Sequence, residues 1–399
     1  MPVSNRAKGS FNTITYAAYV SFVPIGIATV LLGPMLPTLS ARWSLDYSQA
    51  GALFTAQYVA STCAVALSGI VVSLRGFRFA IKAGLLLMGA GLSFLLSGPR
   101  WMGVLCIVIY GGGIGLAVPA ANLLVAEANP DRRSATLNWL NFCWSIGAVA
   151  CPFLVAFSAG HQRVPGLLRI VACISFLVVL GIALMSSSAM EPPKRLEKGA
   201  KILPFLRLKI GSLLILACLF FVYVGTENGF GGWVASYSKT LGGLSPAMAL
   251  ATPSFFYASL TFGRSLAPFL LRKFEEVRLV QTGLLLACAG TAGLVFAQGL
   301  TGVLASACAA GLGLSYVYPI TISLLSKEFG SASSQLGSVM FVLSNVGGGL
   351  LPWIVGILST RFGTLKAGLW VPFLGCAVMY VLYLQRPGEG DMPLKQRSL

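Results

Sequence analysis

Charge is what this sequence has least of: Asp, Glu, Lys and Arg make up 10% of its 399 residues. A soluble domain carries about 25%, so a water-exposed globule is excluded. Acids are the scarcer sign, with 11 Asp and Glu against 28 Lys and Arg, and His161 is the single histidine. One imidazole cannot build a metal centre, and His161 is read as solvated in an outer loop. No Ser-His-Asp set or carboxylate pair can be assembled at membrane depth, which removes the usual hydrolytic chemistries. The nine cysteines include no C-x-x-C pair and are read as buried apolar side chains, neither ligands nor disulfides. The run Gly111-Gly112-Gly113-Ile114-Gly115 has no strand before it, so a dinucleotide or phosphate loop lacks its required context. Neither an enzyme nor a cofactor is expected.

Apolar residues are what fill the chain, at 56% and a mean hydropathy of +0.82. Apolar runs long enough to cross a bilayer, roughly 18 to 25 residues, fall at 14–38, 49–73, 80–97, 102–126, 135–159, 166–186, 210–236, 247–271, 279–297, 302–325, 335–358 and 367–385. The fold class expected is an all-α membrane protein with twelve transmembrane helices. The first run is too long for a signal-peptide core and lacks a small-residue cleavage site, so it is read as a retained helix. Cytoplasmic loops carry the excess of Lys and Arg. With the N-terminus inside, only Arg42, Arg100, Arg163, Arg169, Lys239, Arg361 and Lys366 of the 28 basic residues face out. Both termini are therefore expected in the cytoplasm, in a multi-pass protein of the inner (plasma) membrane. The net charge of +17 then meets anionic lipid and requires no nucleic acid.

The longest hydrophilic stretch, Ser187 to Lys209, carries Pro192, Pro193 and a cluster of basic residues near mid-chain. It divides the chain into an N-terminal six-helix bundle at 1–189, a cytoplasmic linker at 190–209 and a C-terminal six-helix bundle at 210–399. At an offset of 200, Gly111 and Gly113 meet Gly311 and Gly313, Pro119 meets Pro319, Gly147 meets Gly347, and Pro152 meets Pro352. Parallel repeats related by an axis along the membrane normal, hence pseudo-symmetric, produce this pattern. Glycines let helix backbones approach closely and prolines permit bends, so such halves can rock in alternating access.

Against this apolar background, Glu227 is the one carboxylate that fits neither a helix end nor a loop. A charge at that depth costs about 3 kcal/mol on insertion scales and marks a functional position facing water or the bundle interior. Gly225, Gly229, Gly231 and Gly232 around it are expected to let the helix unwind, and Asn228 adds an amide. Counting up from Ile210 places Glu227 in the outer half of the seventh helix, on one stripe with Tyr223 and Phe230 and with Trp233 three residues on. The plainer reading is a Glu227 that only pairs with a neighbouring helix. In the fifth run Asn138, Asn141, Trp144 and Ser145 share a face. Amides with an indole suit a ligand rich in hydroxyls, or equally an interhelical hydrogen-bond seam. Gln57, Asn122, Tyr257, Tyr316 and Asn345 complete the candidate substrate-binding set, with Tyr316 and Tyr318 expected in mid-helix near Pro319. Arg264 is read as snorkelling or capping, not as a ligand contact.

The loop Gly69-Ile-Val-Val-Ser-Leu-Arg-Gly-Phe-Arg78 resembles the G-x-x-x-D-R-x-G-R-[RK] signature of the major facilitator superfamily. Gly69, Gly76 and Arg78 match, while Ser73, Leu74 and Phe77 depart from it. Asn122 to Pro152 and Tyr223-Val-Gly-Thr-Glu-Asn-Gly-Phe-Gly-Gly-Trp233 are similar to the fucose/glucose/galactose symporter (FHS) branch. That resemblance implies the MFS fold, a hexose-type sugar as small-molecule substrate, contacts from Asn141 and Trp144, and symport with H+ or Na+ by a monomer in the lipid bilayer. The carboxylates that the branch uses in its first and fourth helices fall on Gly33 and Val118 here, leaving Glu227 as the coupling-ion or substrate group. Proton-coupled efflux of amphipathic cations or drugs is the rival, with Glu227 amid Trp144, Tyr223, Phe230 and Trp233 as a cation site. A non-transporting receptor on the same scaffold is a third reading.

Overall fold

The computed structural model describes residues 3–129, 132–185 and 210–385, with side chains from Thr15 onward except 134, 331, 334 and 335. The linker expected at 190–209 and the basic C-terminal tail lie outside the described residues. The helices are α1 (Val3–Val30), α2 (Leu32–Trp43), α3 (Tyr47–Phe94), α4 (Arg100–Ala128), α5 (Arg133–Gly160), α6 (Val164–Leu184) and α7 (Ile210–Thr240). They continue as α8 (Pro246–Leu270), α9 (Glu276–Phe296), α10 (Leu300–Leu314), α11 (Val317–Phe329), α12 (Ser333–Phe362), α13 (Leu365–Gly368) and α14 (Trp370–Leu384).

Among the described residues, nine stretches are long and apolar enough to cross a membrane, ten with the bent pair α1–α2. α3 has 48 residues, about 72 Å of helix, more than twice the ~30 Å of hydrocarbon. It is two helices joined at Gly76, whose φ of 78° and ψ of 168° lie in a region essentially closed to residues with a side chain. The loop expected at 74–79 is thus condensed into one glycine. Arg78, just past it, donates from Nη2 to the Ala183 carbonyl at the end of α6, where a cation also suits the helix dipole. α8, at 25 residues, completes the twelve apolar runs.

Proline and capping chemistry place the breaks. α1 and α2 meet at 45° because the ring of Pro34 crowds the carbonyl four residues back, that of Val30. Pro319 does the same to Ser315, so the tenth run is split into α10 and α11. This corrects the mid-helix placement of Tyr316 and Tyr318: Tyr316 is the N-cap of α11 and Tyr318 lies in its first turn. Asp46 opens α3 by accepting from the Gln49 amide at 2.7 Å, a side-chain N-cap with Gln at the third helical position. Ser245 accepts from the Met248 amide at 3.2 Å, ahead of a Pro246 suited to the first helical position.

Packing divides the chain into two compact units. The first comprises Met1–Leu45, Ala52–Glu197 and Ser245–Ser254, and the second Asp46–Gly51, Lys198–Leu244 and Phe255–Leu399. The offset-200 glycines do the same work in each. In the first unit a Cβ on Gly111, Gly113 or Gly147 would fall closer than 3.0 Å to the backbone oxygen of Gln57, Gly84 or Val23. In the second, Gly311, Gly313 and Gly347 stand in the same way against Phe256, Gly283 and Phe221. Each pair keeps two helices at backbone contact, which only glycine permits. All nine cysteines are unpaired, and Cys63 and Cys173 are exposed rather than buried as expected.

Candidate functional site

α7 runs unbroken through its glycines, so the expectation that they unwind the helix is corrected. Two of them serve packing instead: a Cβ on Gly225 would stand 2.8 Å from the Gly347 oxygen, and one on Gly231 2.7 Å from the Tyr257 hydroxyl. Glu227 lies about 26 Å along a helix of about 47 Å, just past its midpoint. Its carboxylate retains 12% of its side-chain exposure, and Oε2 stands 3.9 Å from Nη2 of Arg264, which retains 26%. The carboxylate is paired across to α8 without being sealed there.

Arg264 is the site residue that sequence reasoning passed over. Its Nη2 donates to the Tyr223 hydroxyl at 3.0 Å, and its Nε is buried with no acceptor. Tyr223 is 2% exposed and its ring leans on that of Tyr318, with centroids 5.3 Å apart. A signal existed: an acid at membrane depth requires a neutralising partner, and Arg264 stands six residues, about 9 Å, short of the end of α8. That is deeper than a residue serving only the interface. Asn228 is half-buried and turns its amide back to the Val224 carbonyl at 2.8 Å.

The aromatic part of the α7 stripe is closed into the second unit. Trp233 is 1% exposed and donates from Nε1 to the Pro352 carbonyl at 2.9 Å. Phe230 stacks on Phe256 at 5.0 Å. Tyr257, at 3%, and Tyr316, at 6%, are buried, while Asn345 on α12 is half-buried. Trp233, Tyr257 and Tyr316 are therefore packed within the second unit.

In the first unit, Asn138 and Asn141 are exposed on α5, Trp144 is half-buried and Ser145 is buried. Asn141 donates to the Leu137 carbonyl at 2.9 Å and Ser145 to the Asn141 carbonyl at 3.0 Å, which orients both on their own helix. From Trp144 a chain of bonds leads inward. Its Nε1 donates to the Thr29 hydroxyl at 3.4 Å, and Gln57 Nε2 donates to the Thr29 carbonyl at 3.3 Å. Tyr110 completes the chain, donating to Gln57 Oε1 at 3.1 Å. Gln57 is thus engaged at both ends and 3% exposed, a tie between α1, α3 and α4 that holds Trp144 in place. Asn122 is half-buried and bonded to the Val118 carbonyl at 2.9 Å. Replacing Tyr110 with Phe should strand the Gln57 oxygen, cost about 1–3 kcal/mol and lower the melting temperature in detergent. Ligand affinity should change by less than the stability, because the phenol does not line the exposed face.

The Major Facilitator Superfamily profile matches residues 18–352. The sodium-dependent glucose transporter 1A of Mus musculus is 21% identical over 422 residues, spanning 95% of this chain and 97% of that protein. The L-fucose-proton symporter of Escherichia coli (strain K12) is 22% identical over 393 residues, spanning 89% of each. Among solved structures, a D-xylose-proton symporter superposes with a TM-score of 0.77 at 17% identity, covering 94% of this chain and 98% of that one, a likeness of fold. With twelve apolar runs, glycine-matched halves and these relatives, the chain belongs to the Major Facilitator Superfamily as a multi-span membrane transporter and not an enzyme.

Proposed function

We propose that the chain moves a hexose-type sugar across the inner (plasma) membrane by alternating access of its halves, 1–189 and 210–399, in symport with H+ or Na+. Both termini are cytoplasmic in this reading and the transporter works as a monomer. The observation that carries it is the partly exposed Glu227–Arg264 pair, which offers an acceptor and a donor fork at mid-helix depth, with the buried Tyr223 hydroxyl bonded behind it. In the first unit, taken by itself, the exposed amides Asn138 and Asn141 and the tethered Trp144 offer neutral donors, acceptors and an aromatic edge of the kind a sugar uses. The glucose and fucose transporters among the relatives support the same substrate class. Efflux of amphipathic cations fits less well, because a guanidinium 3.9 Å from the mid-span acid Glu227 repels a second cation.

Uptake of labelled hexoses into proteoliposomes, with and without an imposed pH or Na+ gradient, tests this. Saturable hexose uptake, accelerated by one of the two gradients, is expected. Absence of uptake for every hexose would remove the sugar reading, and uptake indifferent to both gradients would remove symport.

A further inference from the structure

We infer that Cys288 and Cys376 form a dithiol site in the second unit that binds an uncharged trivalent arsenical of the type R–As=O. The site stands whatever solute is transported.

Helix register brings the two thiols together. Gln281 on α9 donates from Nε2 to the Tyr383 carbonyl on α14 at 3.2 Å. Cys288 stands seven residues beyond Gln281 and Cys376 seven before Tyr383, which is two turns, about 10.5 Å, along each helix. Two turns return a side chain to the same face, so antiparallel helices pinned at the first pair oppose the second. Further along, the rings of Phe296 and Trp370 meet with centroids 6.1 Å apart, and the register holds. The thiols meet as it requires. They are hydrogen-bonded to each other, and the Cys376 thiol is also bonded to the Thr291 hydroxyl. Both cysteines are free of disulfides.

The surroundings select the ligand. Cys376 is fully buried and Cys288 half-buried, one turn beyond Leu285, which is exposed on the apolar surface of α9. A lipophilic, uncharged reagent arriving from the bilayer therefore meets Cys288 first and finds Cys376 behind it. Zn2+ is a poor occupant, because it seeks four ligands and the pair supplies half. Trivalent arsenic is pyramidal and takes two sulfurs side by side, as hydrogen-bonded thiols already stand. In the step, two As–S bonds form while the As=O bond and both S–H bonds break. The oxygen leaves as water with the two protons, and arsenic stays trivalent. No charge is made at a depth where charge is costly. Because the second As–S bond closes within one molecule, the pair holds arsenic far more tightly than a single thiol does.

Phenylarsine oxide added to the purified full chain in lipid nanodiscs, read by intact-protein mass, tests this site. The wild-type protein should gain one phenylarsenic unit less two hydrogens, an adduct that survives glutathione and leaves with a dithiol such as 2,3-dimercaptopropanol. In Cys288→Ser and in Cys376→Ser, the glutathione concentration that strips half the adduct should fall about a hundredfold or more. Cys63→Ser and Cys173→Ser should behave as the wild type. The adduct ties α9 to α14, so the melting temperature should rise in the wild-type protein and stay unchanged in Cys288→Ser. An adduct equally resistant in Cys288→Ser, or a wild-type adduct that glutathione strips as readily as it does from that variant, overturns the inference. Should Cys376→Ser fail to fold, Cys288→Ser, altered at the half-buried position, decides alone.

Discussion

Alanine at Gly112 will leave the folded yield and melting temperature unchanged or slightly raised, while alanine at Gly111 or Gly113 will lower both. The three residues are adjacent in one helix and alike in composition, so propensity predicts the same gain of about 0.5–1 kcal/mol for each. Packing separates them. A Cβ on Gly112 meets nothing within 4 Å, whereas on Gly111 it would stand 2.6 Å from the Gln57 oxygen and on Gly113 2.6 Å from the Met88 nitrogen. Both obstacles are helix backbone, which has no rotamer to change, so the clash is relieved only by moving whole helices apart. Overpacking of this kind costs about 1–3 kcal/mol and sometimes more, against a total of about 5–15 kcal/mol for a typical fold. Alanine at Gly311 or Gly313 should behave like its counterpart in the first half, since Phe256 and Gly283 occupy the equivalent places. Thermal unfolding in detergent measures all five variants. A Gly111 variant as stable as the Gly112 variant would contradict the packing.

The second large effect concerns the charges. Glu227→Gln leaves the Arg264 guanidinium without a counter-ion, and Arg264→Gln leaves the carboxylate with none. Breaking a fully buried pair from one side costs about 3–5 kcal/mol. With 12% and 26% of the two side chains exposed, water screens part of this, and about 1–2 kcal/mol is expected for each single variant. The Glu227→Gln/Arg264→Gln double variant places two neutral amide groups there and should recover most of that loss. The two effects are therefore strongly non-additive, as contacting residues require. Transport should not follow stability: each single variant and the double variant lose hexose uptake by at least tenfold. Recovery of both stability and uptake in the double variant would make the pair a brace with no ligand role.

Much of this architecture was written in elements that sequence spacing reveals. The apolar runs follow from the length a bilayer demands, and the offset-200 glycines and prolines exposed the repeat because close backbone approach tolerates no other residue. Glu227 stood out because a carboxylate in an apolar run is costly. Arg264 was missed for the converse reason: a long cationic side chain near a helix end is ordinarily explained by snorkelling, and only the fold shows that it reaches Tyr223 and Glu227. The glycines of α7 were misjudged because sequence alone does not separate a glycine that frees a helix from one that admits a neighbour. Gln57 and Trp233 looked like free polar groups, yet partners far along the chain, Tyr110 and Pro352, claim them. Thr29, which ties Trp144 to Gln57 through its hydroxyl and carbonyl, carried no sequence signal, as threonine is unremarked in any helix.

Titration calorimetry of a transported hexose into purified wild-type protein and into the Glu227→Gln/Arg264→Gln variant tests the role of this pair most directly. Dissociation constants differing by at least tenfold, with melting temperatures within a few degrees of each other, are the expected result. Equal dissociation constants would contradict it, leaving Glu227 and Arg264 as a structural tie between α7 and α8.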